Sequence, residues 1–207
     1  MLLADVSGIR ESLGFDDMPD INAAIQTSLD AVEAQLASLF ETDFAKGTVT
    51  DTFFVPRPEI EDQAFRFTSF RTSQGFLTAP PTVISTLKGG WHRLIDNDGP
   101  TDVSANVVCD LEKGLIRDWT TCYRVSQVTM TYSYGFEVDP NNPDSYLLSQ
   151  VPNWLQNAAR LLSLVNLAND PVITEANIKI DTKTIGSQYA LLVNKHLRYG
   201  PNAVLPL

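Results

Sequence analysis

The sequence predicts an α+β fold in which a helical core carries a β-rich insertion. Apolar residues recur every three or four positions near both ends of the chain, as they do in amphipathic helices. Runs of β-branched and aromatic residues, separated by proline and glycine, fill the middle and are typical of strands. A length of 207 residues suits one domain. The predicted parts of this single domain are a helical core at 1–44 and 146–198, a β-rich insertion at 45–145 and an extended tail at 199–207.

The chain begins with a short predicted helix. Val6, Ile9 and Leu13 share one helical face, and Gly14 is a typical signal for a helix C-terminus. The first residues lack the basic and long apolar regions of a signal peptide, and no apolar run reaches the roughly 18–20 residues of a membrane span. We therefore expect the protein to work where it is made, in a cytoplasm or in a particle assembled there.

A longer helix is predicted over residues 21–41, with Asp20 as its N-cap. The helix contains no Lys or Arg, so Asp30 and Glu33 on its polar face lack basic partners at i,i+4 spacing. We predict that Asp30 and Glu33 form an exposed acidic face that points at a lumen or at a basic partner. The apolar stripe of the helix consists of Ile21, Ile25, Leu29, Val32, Leu36, Leu39 and Phe40.

The middle of the chain is predicted to form strands separated by loops. Segments 56–64 and 71–81 are rich in proline and polar residues and are predicted as exposed loops or arms. Residues 97–100, Asn-Asp-Gly-Pro, are predicted to break the chain between strands, and a tight hairpin turn is predicted at Gly114. The candidate strands are 48–55, 65–70, 82–87, 103–111, 114–121 and 124–132.

The last strand leads through a polar loop into a predicted helix at 152–169, where Pro152 suits the first turn. Within the strand, Val128, Met130 and Tyr132 alternate with polar residues, which predicts one buried face, and we expect this strand to lie at a sheet edge. The polar stretch 177–188 is predicted to be extended. The helix 152–169 is expected to pack on helix 21–41 through Val151, Leu155, Ala158, Leu162 and Val165. A final shorter helix is predicted from Ile185, Tyr189, Leu192, Val193, His196 and Leu197.

The charge distribution argues against nucleic-acid binding. The chain has 43% apolar and 19% charged residues, the composition of an ordinary folded protein, and a net charge of −10. Residues 1–62 contain 13 acids and 3 bases, whereas the remaining residues contain 12 of each. A protein that grips phosphates needs a basic face. We therefore expect that any contact with DNA is non-specific and that partners are proteins.

The sequence contains no catalytic or cofactor motif of the P-loop, GxGxxG, GxSxG or HExxH type. Residues 89–92, Gly-Gly-Trp-His, come nearest to a phosphate loop, but no clear helix start follows them. Glu59, Glu61 and Asp62 could serve as paired carboxylates, although the flanking prolines favour a solvated acidic loop. We predict no enzymatic activity and no cofactor.

Cysteine and histidine do not indicate a metal site. Cys109 and Cys122 could pair across a hairpin, or stay reduced and buried as is common in proteins that are not secreted. His92 and His196 are more than a hundred residues apart, without the spacing of metal ligands. We predict His92 at the surface and His196 at a helix C-terminus, where a cation is favoured.

The sequence resembles the head–tail connector proteins of tailed bacteriophages, also called adaptor or head-completion proteins. The pattern V-x-x-T-Y-x-x-G-F at 128–136, then Val151-Pro152 and a helix rich in Ala and Leu, carries most of the resemblance. It extends over about half of the chain, residues 5–44 and 107–168. Region 45–105 is longer than the family pattern and is expected to be an insertion that contacts neighbouring subunits.

The resemblance implies a structural virion protein of the neck. Such proteins form a ring, usually of twelve subunits, between the portal of the head and the tail or next neck protein, and DNA passes through the ring during genome ejection. It implies that the C-terminal segment docks on the portal through Tyr199, Val204, Leu205 and Leu207, although composition alone is equally compatible with a frayed terminus. The alternatives are a tail terminator or stopper ring, or a hydrolase or carbohydrate-binding module built on the β region.

Overall fold

A computed structural model describes residues 1–14, 19–54, 65–81, 83–89, 94–101, 108–122, 125–176 and 178–197. The predicted α+β class is confirmed. The described helices are α1 (Val6–Leu13), α2 (Pro19–Phe40), α3 (Asn153–Leu167), α4 (Pro171–Glu175) and α5 (Thr182–Asn194). The described strands are β1 (Gly47–Phe54), β2 (Phe65–Arg71), β3 (Val83–Gly89), β4 (Leu94–Thr101), β5 (Val108–Asp110), β6 (Leu115–Cys122), β7 (Val125–Tyr134), β8 (Val138–Asp139) and β9 (Asn142–Tyr146).

The described chain divides into two compact units. Met1–Phe40 and Phe136–Leu197 form one, which contains all five helices and the β8–β9 hairpin and is called the helical unit below. Residues 41–135 form the other, which contains β1 to β7 and is called the β unit. The chain passes from the β unit back into the helical unit between Gly135 and Phe136.

The core of the helical unit lies where α2 packs on α3. The buried residues of α2 are Ile21, Ile25, Ser28, Leu29, Val32, Leu36 and Phe40. Those of α3 are Leu155, Ala158, Ala159, Ser163 and Leu167. Ser163 Oγ donates to Ser28 Oγ at 2.9 Å, and Ser28 Oγ donates to the Ser163 carbonyl at 3.2 Å. Small residues at this crossing let the helices approach closely, while the hydroxyl pair satisfies both buried polar groups.

The predicted stripe of α3 was partly wrong. Leu162 and Val165 are half-buried, whereas Ala159 and Ser163, absent from the predicted stripe, are fully buried. Ser163 is buried against Ser28 of α2, a polar contact that an apolar pattern does not indicate, and α3 packs on α5 as well. A set of apolar residues chosen for packing on α2 alone therefore omits some of the residues that are buried.

The helix ends follow local capping chemistry. Asp5 caps α1 by accepting from the Gly8 N–H at 2.7 Å, and Gly14 ends it with φ 74°, as predicted. Asp20 lies inside the first turn of α2, not at its N-cap, because the helix already begins at Pro19. An acid in the first turn still suits the helix dipole.

Among the C-terminal helices, the short α4 was not predicted and α5 begins earlier than predicted. Asp170 caps the short α4 by accepting from the Val172 N–H at 2.9 Å. Asp181 caps α5, and its side chain accepts from the Thr184 N–H at 3.2 Å. Much of the stretch predicted as extended is thus helix, because the aspartate cap starts it at Thr182 despite few apolar residues in the first turn.

The β unit contains two antiparallel sheets, with strand orders β1-β7-β3-β4 and β2-β6-β5. β7 buries Val128, Met130 and Tyr132 on one face, as the alternation predicts. It is not an edge strand, however, since it pairs with β1 along one side and with β3 along the other. β1 pairs with β7 over all eight of its residues without a register break.

Two chain breaks predicted from turn residues have different outcomes. The β5–β6 turn is confirmed, with Gly114 at φ 61°. The predicted break at residues 97–100 is wrong, because these residues belong to β4. The register between β3 and β4 shifts twice, and β4 is the outer strand, a position where sheets tolerate Gly and Pro.

Candidate functional site

The segment Thr72–Leu77, called the clasp below, organises the β unit. The sequence predicts an exposed arm at 71–81, and this prediction is wrong, because Thr72, Gly75, Phe76 and Leu77 are buried. The backbone of the clasp donates to turn carbonyls next to β6, from Thr72 N to Gly114 O (2.9 Å) and from Phe76 N to Glu112 O (3.0 Å). Its Phe76 carbonyl accepts from Gly135 N at 2.9 Å. The clasp therefore connects the two sheets.

A buried carboxylate holds the clasp from the side of β1. Asp51 is 5% exposed and accepts three hydrogen bonds. The donors are Ser73 N at 2.6 Å, Ser73 Oγ at 2.7 Å and Tyr132 Oη at 2.6 Å. Tyr132 Oη in turn accepts from Gln74 N at 3.1 Å. Strands β1 and β7 thus fix the clasp through one acid and one phenol.

The environment of Tyr132 changes its acidity. Burial, followed by donation to the Asp51 carboxylate, raises the pKa of Tyr132 to about 12. The phenol therefore remains a hydrogen-bond donor at all physiological pH values. The phenol thereby holds the Asp51 carboxylate and the clasp in place.

The other end of the clasp is attached to the segment that follows α2. Gly75 N donates to Thr42 Oγ1 at 2.9 Å, and Gln74 Oε1 accepts from Asp43 N at 2.8 Å. The backbone of Phe76 has φ 50°. Its ring packs on the ring of Phe44, with centroids 5.4 Å apart. A non-glycine residue in this left-handed conformation needs support from its surroundings. The hydrogen bonds and the aromatic contact provide that support.

The β1–β7 pair presents a face of paired hydroxyl groups. The pairs are Thr48–Ser133 (3.1 Å), Thr50–Thr131 (2.8 Å) and Thr52–Thr129 (3.4 Å). Thr48 and Thr50 are exposed, and the other four are at most partly buried. Directly opposed hydroxyl pairs stabilise an antiparallel sheet. These hydroxyl pairs are uncharged, and their β1 members lie on the outer strand of the sheet.

The acidic face predicted on α2 is only partly open. Asp30 has a side chain that is 51% exposed. Glu33 is less accessible, because it accepts from Tyr146 Oη at 2.5 Å and from the Met1 amino group at 2.8 Å. The Met1 amino group also lies 3.5 Å from Asp30. Glu33 therefore holds Tyr146 and the Met1 amino group within the helical unit, and it is also a surface acid.

His196 follows α5 and stacks on Trp154, with ring centroids 3.8 Å apart and planes within 10°. Trp154 contacts Phe40 edge to face at 5.5 Å. These contacts connect the end of α5 to α2 through α3. The sequence gives no signal for this stack, because the three aromatic residues are far apart along the chain.

Cys109 is a free cysteine, and burial raises the pKa of its thiol to about 11. In the sheet it lies opposite Ile116 of β6, whereas Cys122 is six residues further along that strand. Six residues of strand span about 20 Å. A disulfide needs Cα atoms within about 7 Å, so this register keeps the two cysteines apart.

Several predicted residues lie outside the described part of the chain. They are the docking residues Tyr199, Val204, Leu205 and Leu207, the acids Glu59, Glu61 and Asp62, the segment 56–64, and His92. Within the described ranges, no group of three or more His, Cys, Asp or Glu residues could hold a metal ion. None of the helices in those ranges combines the length and apolar character that a bilayer-spanning helix needs.

The matches of this chain to known proteins are to solved structures. No protein-family model matches the sequence, and no curated protein matches it. Among solved structures, the chain is similar to one from the neck of an empty GTA particle, computed with C6 symmetry. The two are 16% identical, the match covers 78% of this chain and 75% of that chain, and the TM-score is 0.39. A TM-score this low carries no argument about fold or function.

Proposed function

We propose that the protein is a structural component of the neck of a tailed-phage-like virion. It forms a ring adaptor, usually of twelve copies, between the portal of the head and the tail or the next neck protein. The genome passes through the ring during ejection without specific binding. The protein has no enzymatic activity, is assembled in the host cytoplasm and does not contact a membrane.

The observation that carries the proposal is the sequence pattern shared with phage connector proteins. Its residues hold architectural positions: Tyr132 supports the clasp, Gly135 has φ 80°, and Pro152 is the N-cap of α3. A Cβ at Gly135 would lie 2.5 Å from the Ala45 carbonyl oxygen. The residues of this pattern are required by backbone geometry and packing. That suits an assembly protein, whose function depends on its shape.

The acidic residues of α2 fit a channel for DNA. Like charge lowers the affinity of a wall for phosphates, so DNA slides along it without binding. Asp30 is the suitable residue for a test, because Glu33 also holds Tyr146 and its replacement would disturb the fold. We expect Asp30→Lys to leave the folded protein intact and to slow genome delivery. Normal delivery would assign this charge to solubility alone.

We propose that the C-terminal segment binds the portal through Tyr199, Val204, Leu205 and Leu207. Burial of each aliphatic side chain in a groove is worth about 1.5–3 kcal/mol before ordering costs. Repetition around a ring multiplies a weak contact into firm attachment.

The direct test mixes the purified protein with the portal protein encoded on the same genome. Electron microscopy and mass measurement should find rings attached to the portal, with a mass that exceeds that of the portal alone by a multiple of the 22.9 kDa subunit. Deletion of residues 203–207 should preserve the melting temperature and abolish attachment. Rings that bind tail components and ignore the portal would indicate the tail terminator or stopper instead. A monomer that never binds a neck component would refute the proposal.

A further inference from the structure

Strand β1 has an outer edge that is built for pairing. In the described sheets it is the one edge strand that is both eight residues long and free of register breaks. β4 breaks register twice and contains Pro100, β2 breaks register once, and β5 has three residues. Proteins commonly blunt sheet edges with bulges, proline, charge or short strands. β1 has no bulge and no proline, and its one charged residue, Asp51, is buried and hydrogen-bonded to the clasp and Tyr132.

β1 also has no exposed charged side chain that would repel a second strand. Its one charged residue is Asp51, which is buried and accepts three hydrogen bonds from the clasp and Tyr132. The exposed face consists of threonine hydroxyls and ends at Phe54, which is 54% exposed. The backbone N–H and C=O groups along the outer edge of such a strand can form hydrogen bonds with another extended strand.

We propose that the outer edge of β1 pairs with β1 of a second copy of this chain, antiparallel and about a two-fold axis through Thr50. In this register Thr48 lies opposite Thr52 of the partner subunit, and Thr50 lies opposite its own equivalent. Every central pair on the exposed face is then threonine with threonine. This repeats the hydroxyl pairing that β1 already makes with β7, so the strand is complementary to itself.

The contact is independent of the neck assignment, because it follows from one strand of the isolated chain. A single strand pair buries less than the roughly 1,200 Å² of a stable interface, so the dimer should dissociate on dilution. It covers an edge that would otherwise invite aggregation, and it provides a pool of soluble protein before assembly.

The test uses charge and cross-linking at one position. Thr50→Lys places two like charges opposite each other across the two-fold axis and should weaken self-association of the full chain at least about tenfold in analytical ultracentrifugation. Thr131→Lys is the matched control, because it removes the same hydroxyl pair and adds the same charge on the inner strand β7. The control should retain dimerisation, and circular dichroism should find both variants folded.

Mild oxidation gives a second readout. Opposed Cβ atoms in an antiparallel pair are about 4.5–5.5 Å apart, close enough for a disulfide after small adjustment. Thr50→Cys should form covalent dimers, and Thr131→Cys, with the same native cysteines, should not. A wild-type monomer at every concentration, or equal cross-linking of both variants, would overturn the proposal. So would concentration-independent amide protection along the outer edge of β1, which would mean that the chain's own residues cover it. If Thr50→Cys stays uncross-linked in the unassembled protein while the wild type still forms rings on the portal, the pairing is refuted and the neck function stands.

Discussion

The substitution Tyr132→Phe tests whether the clasp holds the β unit together. It removes the phenol that donates to Asp51 at 2.6 Å and accepts from Gln74 N at 3.1 Å, while the ring remains in the core. A hydrogen bond to a charged group contributes about 1.5–3 kcal/mol. We expect a loss of about 2 kcal/mol at neutral pH. Tyr134→Phe, on the same strand but half-buried, should change stability by less than about 0.5 kcal/mol.

The measurement must report on the two units separately, because a single two-state free energy is not defined for a chain of more than one compact unit. Amide hydrogen exchange followed by mass spectrometry does so, since peptides from 72–77 report the clasp and peptides from α2 report the helical unit. Exchange should accelerate in the clasp and remain unchanged in α2. Equal acceleration in both, or a loss below about 0.5 kcal/mol, would refute the structural role of the phenol. In a double-mutant cycle, Asp51→Asn and Tyr132→Phe together should cost less than their sum.

The same residue makes a pH prediction. The pKa of Tyr132 is raised by burial and by Asp51 to about 12, above its ordinary value of 10.0. The folded protein therefore retains the phenolic proton more strongly than the unfolded chain. The resulting stability is fully present below pH 10 and is lost as the pH rises towards 12. The stability difference between wild type and Tyr132→Phe should shrink over that range, whereas a constant difference would contradict the pKa assignment.

Three further substitutions or treatments test other parts of the structure. Leu29→Ala should lower the free energy of unfolding of the helical unit by about 2–5 kcal/mol in urea titration, because Leu29 is 1% exposed. Leu39→Ala is the control and should have little effect, because Leu39 is 39% exposed. Gly135→Ala should be clearly more destabilising than Gly14→Ala in thermal melts. Both glycines have positive φ, but only at Gly135 would the new Cβ meet a backbone oxygen at 2.5 Å. Cys109 should react slowly with a thiol reagent at pH 8 and faster as the pH approaches 11, since the thiolate is the nucleophile, and rapid labelling of the folded protein at pH 8 would contradict its raised pKa.

Patterns that depend on near neighbours in sequence predicted α1 and the buried face of β7 well. Helix α1 occupies residues 6–13 and ends at Gly14, as the spacing of Val6, Ile9 and Leu13 and the glycine predict. Strand β7 buries Val128, Met130 and Tyr132 because alternation alone decides which side chains share a face. In both cases the determining residues lie within the element itself.

The prediction failed where distant partners decide the structure. The clasp is polar and contains glycine, which is typical of an exposed loop, yet Asp51, Gly114 and Gly135 supply partners for its buried polar groups. These residues are 20 to 60 positions away along the chain, and nothing local reveals them. Asp51 itself looks like one of many acids in residues 1–62. The supporting role of Tyr132 was missed for the same reason.

The residues that carry the resemblance to phage connectors lie where the chain leaves the β unit. Tyr132 holds the clasp, Gly135 takes a conformation with φ 80° against the Ala45 carbonyl, and Phe136 packs on Tyr146 in the helical unit with ring centroids 6.0 Å apart. Each one is constrained by backbone space or by a buried hydrogen bond, so substitution should change the path of the chain before it changes any binding surface. The pattern at 128–136 thus marks the point where the chain leaves the β unit, and its residues act there through backbone space and buried hydrogen bonds.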